Sequence, residues 1–372
     1  MKQGYTYFIG TSWSGAIPDH FKALAKELAS RGHRVILLVD GQRKDVVDEA
    51  SNPGVLTWPS RRPTRLRDAL FLAGLVRRYR PQCVIGNFGS VNVMMMVGWL
   101  MRIPVRVAYV HTLTGQIAID WRRSKLLLLY LNLRKRVVYR LCSFVIATSS
   151  ATREDAKAAH RVPSSKLHVL HTSLADPVCP GGLPGRERRL LLVGRLDLSK
   201  GQDVAIRAMA IIRREYDDVS LELLGKGSME REYRELVKEL GLDNCCLFSG
   251  AVPHEAVLDR MASSYAVLVP SRADNLPNVC IESLAVGTPV VASRVGGIVD
   301  IVRDGLDGYL VPPDDPKALA EKLAVLLSNR ELRDQIGRNA RQRFLDTFEQ
   351  SKVVQEQANW FERIVAEAVQ RG

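Results

Sequence analysis

Two acidic side chains stand eight positions apart in the second half of the chain, on either side of a predicted helix start. Asp274 lies in a polar loop after an apolar run at residues 266–270, and Glu282 lies in the first turns of a helix expected to begin near Asn278. Pro277 favours this boundary because the residue before a proline avoids the helical conformation. The apolar run is typical of a buried parallel strand, and open α/β sheets bind ligands at the carboxyl ends of such strands. Both carboxylates can therefore face one crevice beside the helix start, whose free N–H groups could bind an anion or sugar hydroxyls.

A second loop carries two cations. Arg195 and Lys200 are five positions apart, between a predicted strand at residues 189–193 and a helix expected from about Gln202. Two cations beside the free N–H groups of a helix start are typical of a phosphate site.

Two further candidates lie in the first half of the chain. Gly15 belongs to a small-residue loop between a predicted strand at residues 5–10 and a predicted helix at residues 20–30. His111 follows a predicted strand at residues 105–110, so its side chain can either face a ligand or bond a nearby carbonyl. No Gly-x-Gly-x-x-Gly opens the first helix, which argues against a nicotinamide dinucleotide site.

Residues 269–305 resemble the donor-site signature of the family-4 retaining glycosyltransferases, also called glycosyl transferases group 1. That signature has two acidic residues separated by seven others, followed by a small-rich helix and Gly-x-Pro-Val-Val, which stands here at residues 287–291. The first acid is Asp274 rather than the commoner Glu, and Asp-Asn-Leu-Pro-Asn replaces Glu-Gly-Phe-Gly, a variant found among bacterial members. Residues 194–201 resemble the family's Gly-Arg-x-x-x-x-Lys-Gly element, which grips the donor diphosphate.

The resemblance implies an α/β protein of the GT-B fold, with two doubly wound Rossmann-like domains facing each other across a cleft. The length of 372 residues suits two domains of about 180 residues each. Residues 176–185 are rich in Pro and Gly and read as a linker. We therefore expect an acceptor-binding domain at residues 1–178 and a nucleotide-sugar-binding domain at residues 186–349. A C-terminal helix at residues 350–372 would cross back to the first domain.

The resemblance also assigns roles to individual residues. Arg195 and Lys200 would offset the charge on the departing diphosphate, and Glu282 would accept hydrogen bonds from the ribose hydroxyls. Asp274 and the N–H groups near Asn278 would hold the sugar. The implied catalytic residues are His111, Asp274, Arg195 and Lys200. The implied donor-binding residues are Gly15, Arg195, Lys200, Gly225, Val252, Asp274, Asn275, Leu276, Pro277, Asn278, Val279 and Glu282.

The predicted reaction is retaining transfer of a sugar from a nucleotide-sugar, with UDP as the default nucleotide and no cofactor. The chain contains no Asp-x-Asp, so no metal site is expected. Two other readings stay open: a nucleotide-sugar epimerase or glycosyl phosphorylase on the same fold, and a basic nucleic-acid-binding protein. The second lacks a recognisable nucleic-acid-binding signature, so nucleic acid is not an expected partner.

The net charge of +13 is unevenly distributed along the chain. Residues 1–180 contain 27 Lys and Arg against 11 Asp and Glu, whereas the remainder contains 26 against 29. This asymmetry indicates an anionic partner for the first half, such as a membrane surface, a phosphorylated acceptor or nucleic acid.

Residues 121–140 are basic at both ends and apolar in the middle. They predict either a helix in the bilayer interface, with arginines reaching lipid phosphates, or a core helix with solvated ends. No apolar run approaches the roughly 20 residues of a membrane span, no leader is visible, and the cysteine pattern indicates reduced thiols. We therefore expect a cytoplasmic enzyme, peripheral on the inner face of the plasma membrane. Its acceptor would be lipid-linked or a glycan, in bacterial surface polysaccharide synthesis.

Overall fold

The structure is a computed structural model that describes residues 4–40, 46–121, 125–177 and 188–371; for residues 117, 118, 120, 121 and 125–128 it describes the backbone alone. The chain divides into two compact units. The first comprises Met1–His111, Arg123–Ala175 and Glu349–Gly372, and the second comprises Thr112–Arg122 and Asp176–Phe348. The predicted linker at residues 176–185 lies mostly outside the described residues, which stop at 177 and resume at 188.

Every strand in the described ranges belongs to one of two parallel sheets, and most of these strands are short apolar runs of the kind that parallel sheets bury on both faces. The strands are β1 (Thr6–Thr11), β2 (Arg34–Val39), β3 (Gly54–Thr57), β4 (Cys83–Gly86), β5 (Val105–Val110), β6 (Phe144–Ala147), β7 (Leu167–Val169), β8 (Arg189–Val193), β9 (Ser220–Leu224), β10 (Cys246–Gly250), β11 (Ala266–Val269), β12 (Val290–Ser293) and β13 (Gly308–Val311).

The helices that connect and cover these strands are α1 (Ala16–Ser30), α2 (Leu66–Tyr79), α3 (Val91–Leu100), α4 (Thr114–Trp121), α5 (Lys125–Arg140), α6 (Ser150–His160), α7 (Gln202–Ile212), α8 (Glu230–Glu239), α9 (His254–Ser263), α10 (Asn278–Ala285), α11 (Ile298–Ile301), α12 (Pro316–Ser328), α13 (Arg330–Thr347) and α14 (Gln350–Gln370). None of the described helices is both long enough and apolar enough to cross a membrane.

The strand order sets the position of the two candidate sites. The first sheet runs β3-β2-β1-β4-β5-β6-β7, and the second runs β10-β9-β8-β11-β12-β13. All strand pairs are parallel, so successive strands need helical crossovers. The order reverses between β1 and β4 in the first unit and between β8 and β11 in the second. Doubly wound sheets open a crevice for ligands at such a reversal, outside the carboxyl ends of the strands.

The C-terminal helix α14 belongs to the first unit and packs against α1. Phe361 of α14 is fully buried in the same apolar cluster as Phe21 and Leu24 of α1. A buried polar network adds to this packing: His20 Nδ1 lies 2.7 Å from Ser173 Oγ, and His20 Nε2 lies 3.1 Å from Gln357 Oε1. The backbone N–H of Ser173 also donates to Nδ1, so the proton sits on Nε2 and His20 is neutral.

Two sequence predictions about helices are wrong in detail. The first helix begins at Ala16 rather than at residue 20, because Gly15 adopts φ +117° and starts the helix directly. Pro18 is tolerated in the first turn, where its missing N–H would have no intrahelical partner. The segment at residues 121–140 is not one helix: α4 ends at Trp121 in the second unit, and α5 starts at Lys125 in the first.

Candidate functional site

The loops that follow β8 and β11 meet at the reversal point of the second sheet, because these two strands are direct neighbours. The loop after β8 carries Arg195 and Lys200, and the loop after β11 carries Asp274. The strand order therefore brings together two motifs that lie more than 70 residues apart in the sequence.

A glycine allows the two loops to approach closely. Gly201 precedes α7 with φ +69°, and a Cβ at this position would lie 2.0 Å from the carbonyl oxygen of Pro270. A side chain there is excluded both by the left-handed backbone and by this contact. The glycine of the Gly-Arg-x-x-x-x-Lys-Gly element thus lets the start of α7 reach the end of β11.

Lys200 and Asp274 form an ion pair at this junction, with 2.6 Å between Nζ and Oδ2. Ser271 Oγ donates to the same carboxylate oxygen at 3.2 Å, and the backbone N–H of Asn275 donates to Oδ1 at 3.1 Å. Asp274 is buried and Lys200 is largely buried. Both carboxylate oxygens are therefore engaged by donors, and the ammonium group has a fixed position in the loop.

Arg195 pairs with a different carboxylate. Its side chain is 60% exposed, and Nη1 lies 2.7 Å from Asp197 Oδ2. Gln202 at the start of α7 donates to the backbone carbonyl of Arg195 at 2.8 Å, which ties the loop to the helix. Arg195 therefore offers an accessible guanidinium, whereas Lys200 offers a buried ammonium.

Arg272 organises the two loops, and the sequence reading missed it. Its guanidinium makes two hydrogen bonds to Asp203 of α7, at 2.9 and 2.6 Å, and one to the carbonyl of Leu198 at 2.8 Å. Its Nε also lies 2.7 Å from Asp314 Oδ1. The hydrogen bonds to Asp203 raise the pKa of Arg272, so it is a permanent cation. Its position, three residues after β11, could have marked it as a candidate site residue. Its partners, however, lie too far away in the sequence to be predicted.

The third part of the site is the start of α10. Pro277 occupies the N-cap position without a side-chain cap, so the first N–H groups are left to other acceptors. Glu282 follows in the second turn, is buried, and has His254 Nε2 3.9 Å from its carboxylate. Burial raises the pKa of Glu282, and the nearby His254 partly offsets that shift.

The pKa of the buried Cys280 thiol depends on the charged side chains of this site. Burial is the main reason that its pKa is raised well above the usual range, and Asp274 and Glu282 raise it further. Lys200 acts in the opposite direction. Asp274, Lys200 and Glu282 therefore all lie near enough to this buried side chain of α10 to act on its charge.

The other donor-side candidates lie on neighbouring loops of the second unit. Gly225 follows β9 with φ +138°, and a Cβ there would lie 1.9 Å from the carbonyl oxygen of Gly194. Val252 follows β10 and is partly buried, just before α9. Around the start of α10, Asn275 and Pro277 are buried, and Leu276, Asn278 and Val279 are half-buried.

His111 directly follows β5 in the first unit and stacks on Phe88, with 4.7 Å between the ring centroids. The Nδ2 group of Asn87 donates to the carbonyl of Gly10, so Oδ1 of Asn87 faces His111 Nε2 at 2.9 Å and accepts its proton. Burial, with a smaller contribution from His20, lowers the pKa of His111 to about 3. His111 is therefore a neutral imidazole with Nδ1 as an acceptor. Nothing in the sequence indicated Asn87 as its partner.

A pocket of about 300 Å³ opens at the reversal point of the first sheet. It is lined by the loops that follow the first four strands: Thr11, Ser12, Asp40, Trp58, Arg61, Arg62, Pro63, Asn87, Phe88, Gly89 and Ser90. Gly15 lies just beyond the first of these loops, at the N-cap of α1. The pocket thus combines two arginines with hydroxyl and amide groups.

Over the described ranges, no group of three or more His, Cys, Asp or Glu is placed to hold a metal ion. Near the reversal point of the second sheet, an anion can meet Arg195, Lys200 and the N–H groups at the starts of α7 and α10. A diphosphate fits this combination, because helix N-termini and cations bind phosphate together.

Comparisons with known proteins agree with this architecture. The family model for glycosyl transferases group 1 matches residues 180–343, and the model for glycosyltransferase family 4 matches residues 19–174. An uncharacterized glycosyltransferase of Methanocaldococcus jannaschii is 24% identical over 93% of each chain. The D-inositol 3-phosphate glycosyltransferase of Corynebacterium efficiens is 34% identical over 66% of this chain and 63% of its own.

Two solved structures share the fold. Sucrose-phosphate synthase from Thermosynechococcus elongatus superimposes with a TM-score of 0.78 at 21% identity, over 98% of this chain and 100% of that one. Anabaena HepE in complex with UDP superimposes with a TM-score of 0.76 at 20% identity, over 96% and 100% of the two chains. Both domains here are Rossmann-like, and together they match GT-B glycosyltransferases.

Proposed function

Since the chain belongs to the family-4 glycosyltransferases, the glycosyl transferases group 1, we propose that it moves a sugar from UDP to an acceptor with retention of configuration. The observation that carries this proposal is the junction of Lys200, Asp274 and the start of α10 at the reversal point of the second sheet. UDP is the proposed nucleotide because HepE, which shares the fold, was crystallised with UDP and with UDP-glucose.

The diphosphate would lie against the loop after β8. Arg195 is accessible to it from solvent, and Lys200 can share its ammonium between Asp274 and a phosphate oxygen. Both cations then oppose the negative charge that grows on the departing nucleoside diphosphate, which is the charge that most needs stabilisation in the transition state. These fixed cations take the place of a divalent ion, so we propose a metal-independent reaction.

Glu282 and Asp274 would hold the two halves of the donor. A buried carboxylate in the second turn of α10 suits the two ribose hydroxyls, each of which can donate to it. Asp274, with Asn275 and the N–H groups at the start of α10, would bind the sugar hydroxyls. Asn275, Leu276, Pro277, Asn278 and Val279 would form the wall of this sugar site.

The contacts of Asp274 also support a particular route to retention. Its carboxylate oxygens are held by Lys200, Ser271 and the N–H of Asn275, and a carboxylate with three donors is a weak nucleophile. We therefore propose that the acceptor hydroxyl attacks from the side of the leaving group and that its proton passes to the donor phosphate. His111, a neutral imidazole with Nδ1 free to accept, would position a sugar or acceptor hydroxyl.

The acceptor would bind in the pocket at the reversal point of the first sheet. Arg61 and Arg62 line it together with one carboxylate, that of Asp40, so its two cations suit a polar group that carries a negative charge. We propose a lipid-linked or glycan acceptor in the synthesis of a bacterial surface polysaccharide. The enzyme would work at the cytoplasmic face of the plasma membrane, with the basic first domain toward the lipid.

Acceptor-dependent release of nucleoside diphosphate tests this function. UDP-, GDP- and ADP-sugars are incubated in EDTA with and without a bacterial lipid extract, and the products are separated by chromatography. We expect UDP release that requires the extract, and an NMR coupling constant that shows the donor's anomeric configuration in the product. An epimerase would convert the donor without releasing UDP, and a phosphorylase would release sugar phosphate from a glycan. Activity restored by manganese after EDTA would overturn the metal-independent mechanism.

A further inference from the structure

Three helices of the first unit expose an unusual amount of apolar surface. Of the 17 large apolar side chains that are exposed in the described part of the chain, nine lie on α2, α3 and α5. We call this the three-helix surface, and it consists of Leu66, Leu70, Met96, Trp99, Leu100, Leu129, Tyr130, Leu133 and Val137. Scattered apolar side chains are normal on a protein surface, but a contiguous apolar patch marks a binding surface.

The three-helix surface is contiguous because its helices pack side by side, α2 on α3 and α3 on α5. They enclose an open apolar groove of about 1080 Å³. The α5 wall of the groove consists of Tyr130, Leu133, Arg134, Val137 and Val138, with Leu141 just beyond the end of the helix. Tyr130, Leu133, Arg134 and Val137 recur at helical spacing and so share one face. No other described element covers that face, although its side chains are mostly apolar, as they are on a buried helix.

The charges around the groove have a single sign. Three arginines lie in α2 and five Lys or Arg in α5, and Asp68 is the one acidic residue in the three helices. Asp68 is fully buried and accepts hydrogen bonds from the N–H groups of Ser60 and Arg65. The groove itself is lined by Arg65 and Arg134. An anionic partner therefore meets cations and no exposed carboxylate of these helices.

Not every cation of α5 is available to a partner. Arg136 donates through Nε and Nη2 to the carbonyl of Ala159, at 3.0 and 2.9 Å, and so caps the end of α6. Burial lowers the pKa of Lys135. Arg134 is exposed and lines the groove, so it can reach a ligand there.

The groove and the polar pocket of the first unit are lined by neighbouring residues of the chain. Arg61, Arg62 and Pro63 line the pocket, and the next three residues, 64–66, line the groove. A polar, cationic pocket and an apolar groove thus share one loop. The pocket suits the anionic headgroup of a lipid, and the groove suits its hydrocarbon chains.

We propose that the three-helix surface docks on an anionic membrane leaflet, with its apolar side chains in the acyl region and Arg65 and Arg134 on lipid phosphates. Apolar side chains and arginines in this arrangement bind the bilayer interface, and each cation contributes to the attraction. The acceptor pocket then opens at the membrane surface, a consequence that rests on the proposed function. A second copy of the chain is the poorer occupant, because a symmetric dimer would place arginines against arginines.

Vesicle co-sedimentation tests the proposal. The probes are vesicles of phosphatidylcholine alone and of phosphatidylcholine with phosphatidylglycerol. We expect binding that requires phosphatidylglycerol and falls steeply with salt. Arg65→Gln and Arg134→Gln should each weaken it about fivefold. Leu66→Gln, Leu100→Gln and Leu133→Gln together should abolish it, since all three side chains are more than half exposed and are not needed for folding.

Matched controls lie in the second unit. Arg231→Gln and Arg330→Gln remove exposed arginines, and Leu247→Gln and Leu306→Gln remove exposed leucines, so none of these should change binding. Equal binding to both vesicles, or binding to neither, overturns the docking proposal. So does a dimer in light scattering that the leucine triple variant dissociates.

Donor binding by the same proteins separates this proposal from the proposed function. The UDP-sugar-induced rise in melting temperature should be the same in wild type and in the leucine triple variant. If that rise is present but vesicles do not bind, only the membrane claim fails. If vesicles bind and no UDP-sugar raises the melting temperature, the donor assignment fails instead.

Discussion

Lys200 and Asp274 are 74 positions apart in sequence, yet Nζ and Oδ2 are 2.6 Å apart in the structure. The contact joins the loop after β8 to the loop after β11 across the reversal point of the second sheet. It also couples the group proposed to hold the diphosphate to the group proposed to hold the sugar. Changes at either residue should therefore affect both parts of the donor site.

This pair makes the two diphosphate cations respond differently to mutation. Arg195→Ala should reduce turnover by on the order of 10²-fold, as loss of one preorganised donor does, without a change in stability. Its side chain is largely exposed, so folding does not depend on it. Lys200→Ala should lose at least as much activity and also roughly 3 kcal/mol of stability, because Asp274 is left buried without its partner.

Steady-state kinetics and urea unfolding measure these effects, with Arg207→Ala as the control on an exposed face of α7. Near wild-type turnover in both the Arg195 and the Lys200 variants would remove the diphosphate assignment. Equal destabilisation by both would contradict the distinction between a buried and an exposed cation.

Asp274→Asn should separate nucleotide binding from transfer. The neutral amide no longer competes for the Lys200 ammonium, so free UDP should bind as well as in wild type or more tightly. Transfer should fall sharply because a sugar-binding carboxylate is lost. Isothermal titration with UDP, together with turnover, checks both halves; weaker UDP binding with intact transfer would assign Asp274 to the nucleotide instead.

Glu282 should make UDP binding depend on pH. Burial raises its pKa, so the carboxylate that accepts from ribose becomes protonated at a higher pH than an exposed glutamate would. UDP affinity should therefore fall as the pH is lowered toward that raised pKa. Glu282→Gln should bind UDP weakly at every pH, so the part of the pH dependence that Glu282 causes should vanish in this variant. Titrations with UDP over the acidic pH range test this prediction. His254→Gln is the control, because His254 is the titratable neighbour of Glu282. An unchanged pH profile in Glu282→Gln would exclude the ribose role.

His20 should make the stability of the protein depend on pH. Burial lowers its pKa from 6.5 to about 4, so the unfolded chain binds its proton more readily than the folded chain does. The stabilising contribution is complete above pH 6.5 and is lost as the pH falls toward 4; at pH 5 the loss is about 2 kcal/mol. Urea unfolding at pH 7 and pH 5 should show a smaller difference in His20→Gln than in wild type. The same difference in both proteins would contradict this.

The sequence predicted the elements of the second unit better than the contacts between them. The start of α10 follows from Pro277, and the start of α7 follows from the glycine after Lys200, because proline and glycine act locally on the backbone. The ion pair between Lys200 and Asp274 could not be predicted without the strand order. The same holds for Arg272, whose partner Asp203 lies 69 positions away.

In the first unit, the sequence identified His111 as a candidate but not its chemistry. The neutral state of the imidazole depends on Asn87, 24 positions away on the loop of a neighbouring strand, and on burial. The apolar face of α5 was ambiguous in the sequence, because leucines nearly all round a helix favour burial. The structure shows how the helix packs: α3 and α6 cover part of it, and the face with Leu133 and Val137 is exposed.

The central claim is that the junction of Arg195, Lys200 and Asp274 binds a nucleoside diphosphate sugar, and thermal unfolding with donors tests it most directly. UDP-, GDP- and ADP-sugars are added in turn to wild type and to Arg195→Ala. A ligand that binds the native state alone raises the melting temperature, and the rise grows with the ligand concentration relative to its Kd. We predict a clear rise with UDP-sugars in wild type and a much smaller rise in Arg195→Ala. No rise with any nucleotide-sugar, or the same rise in both proteins, would contradict the account.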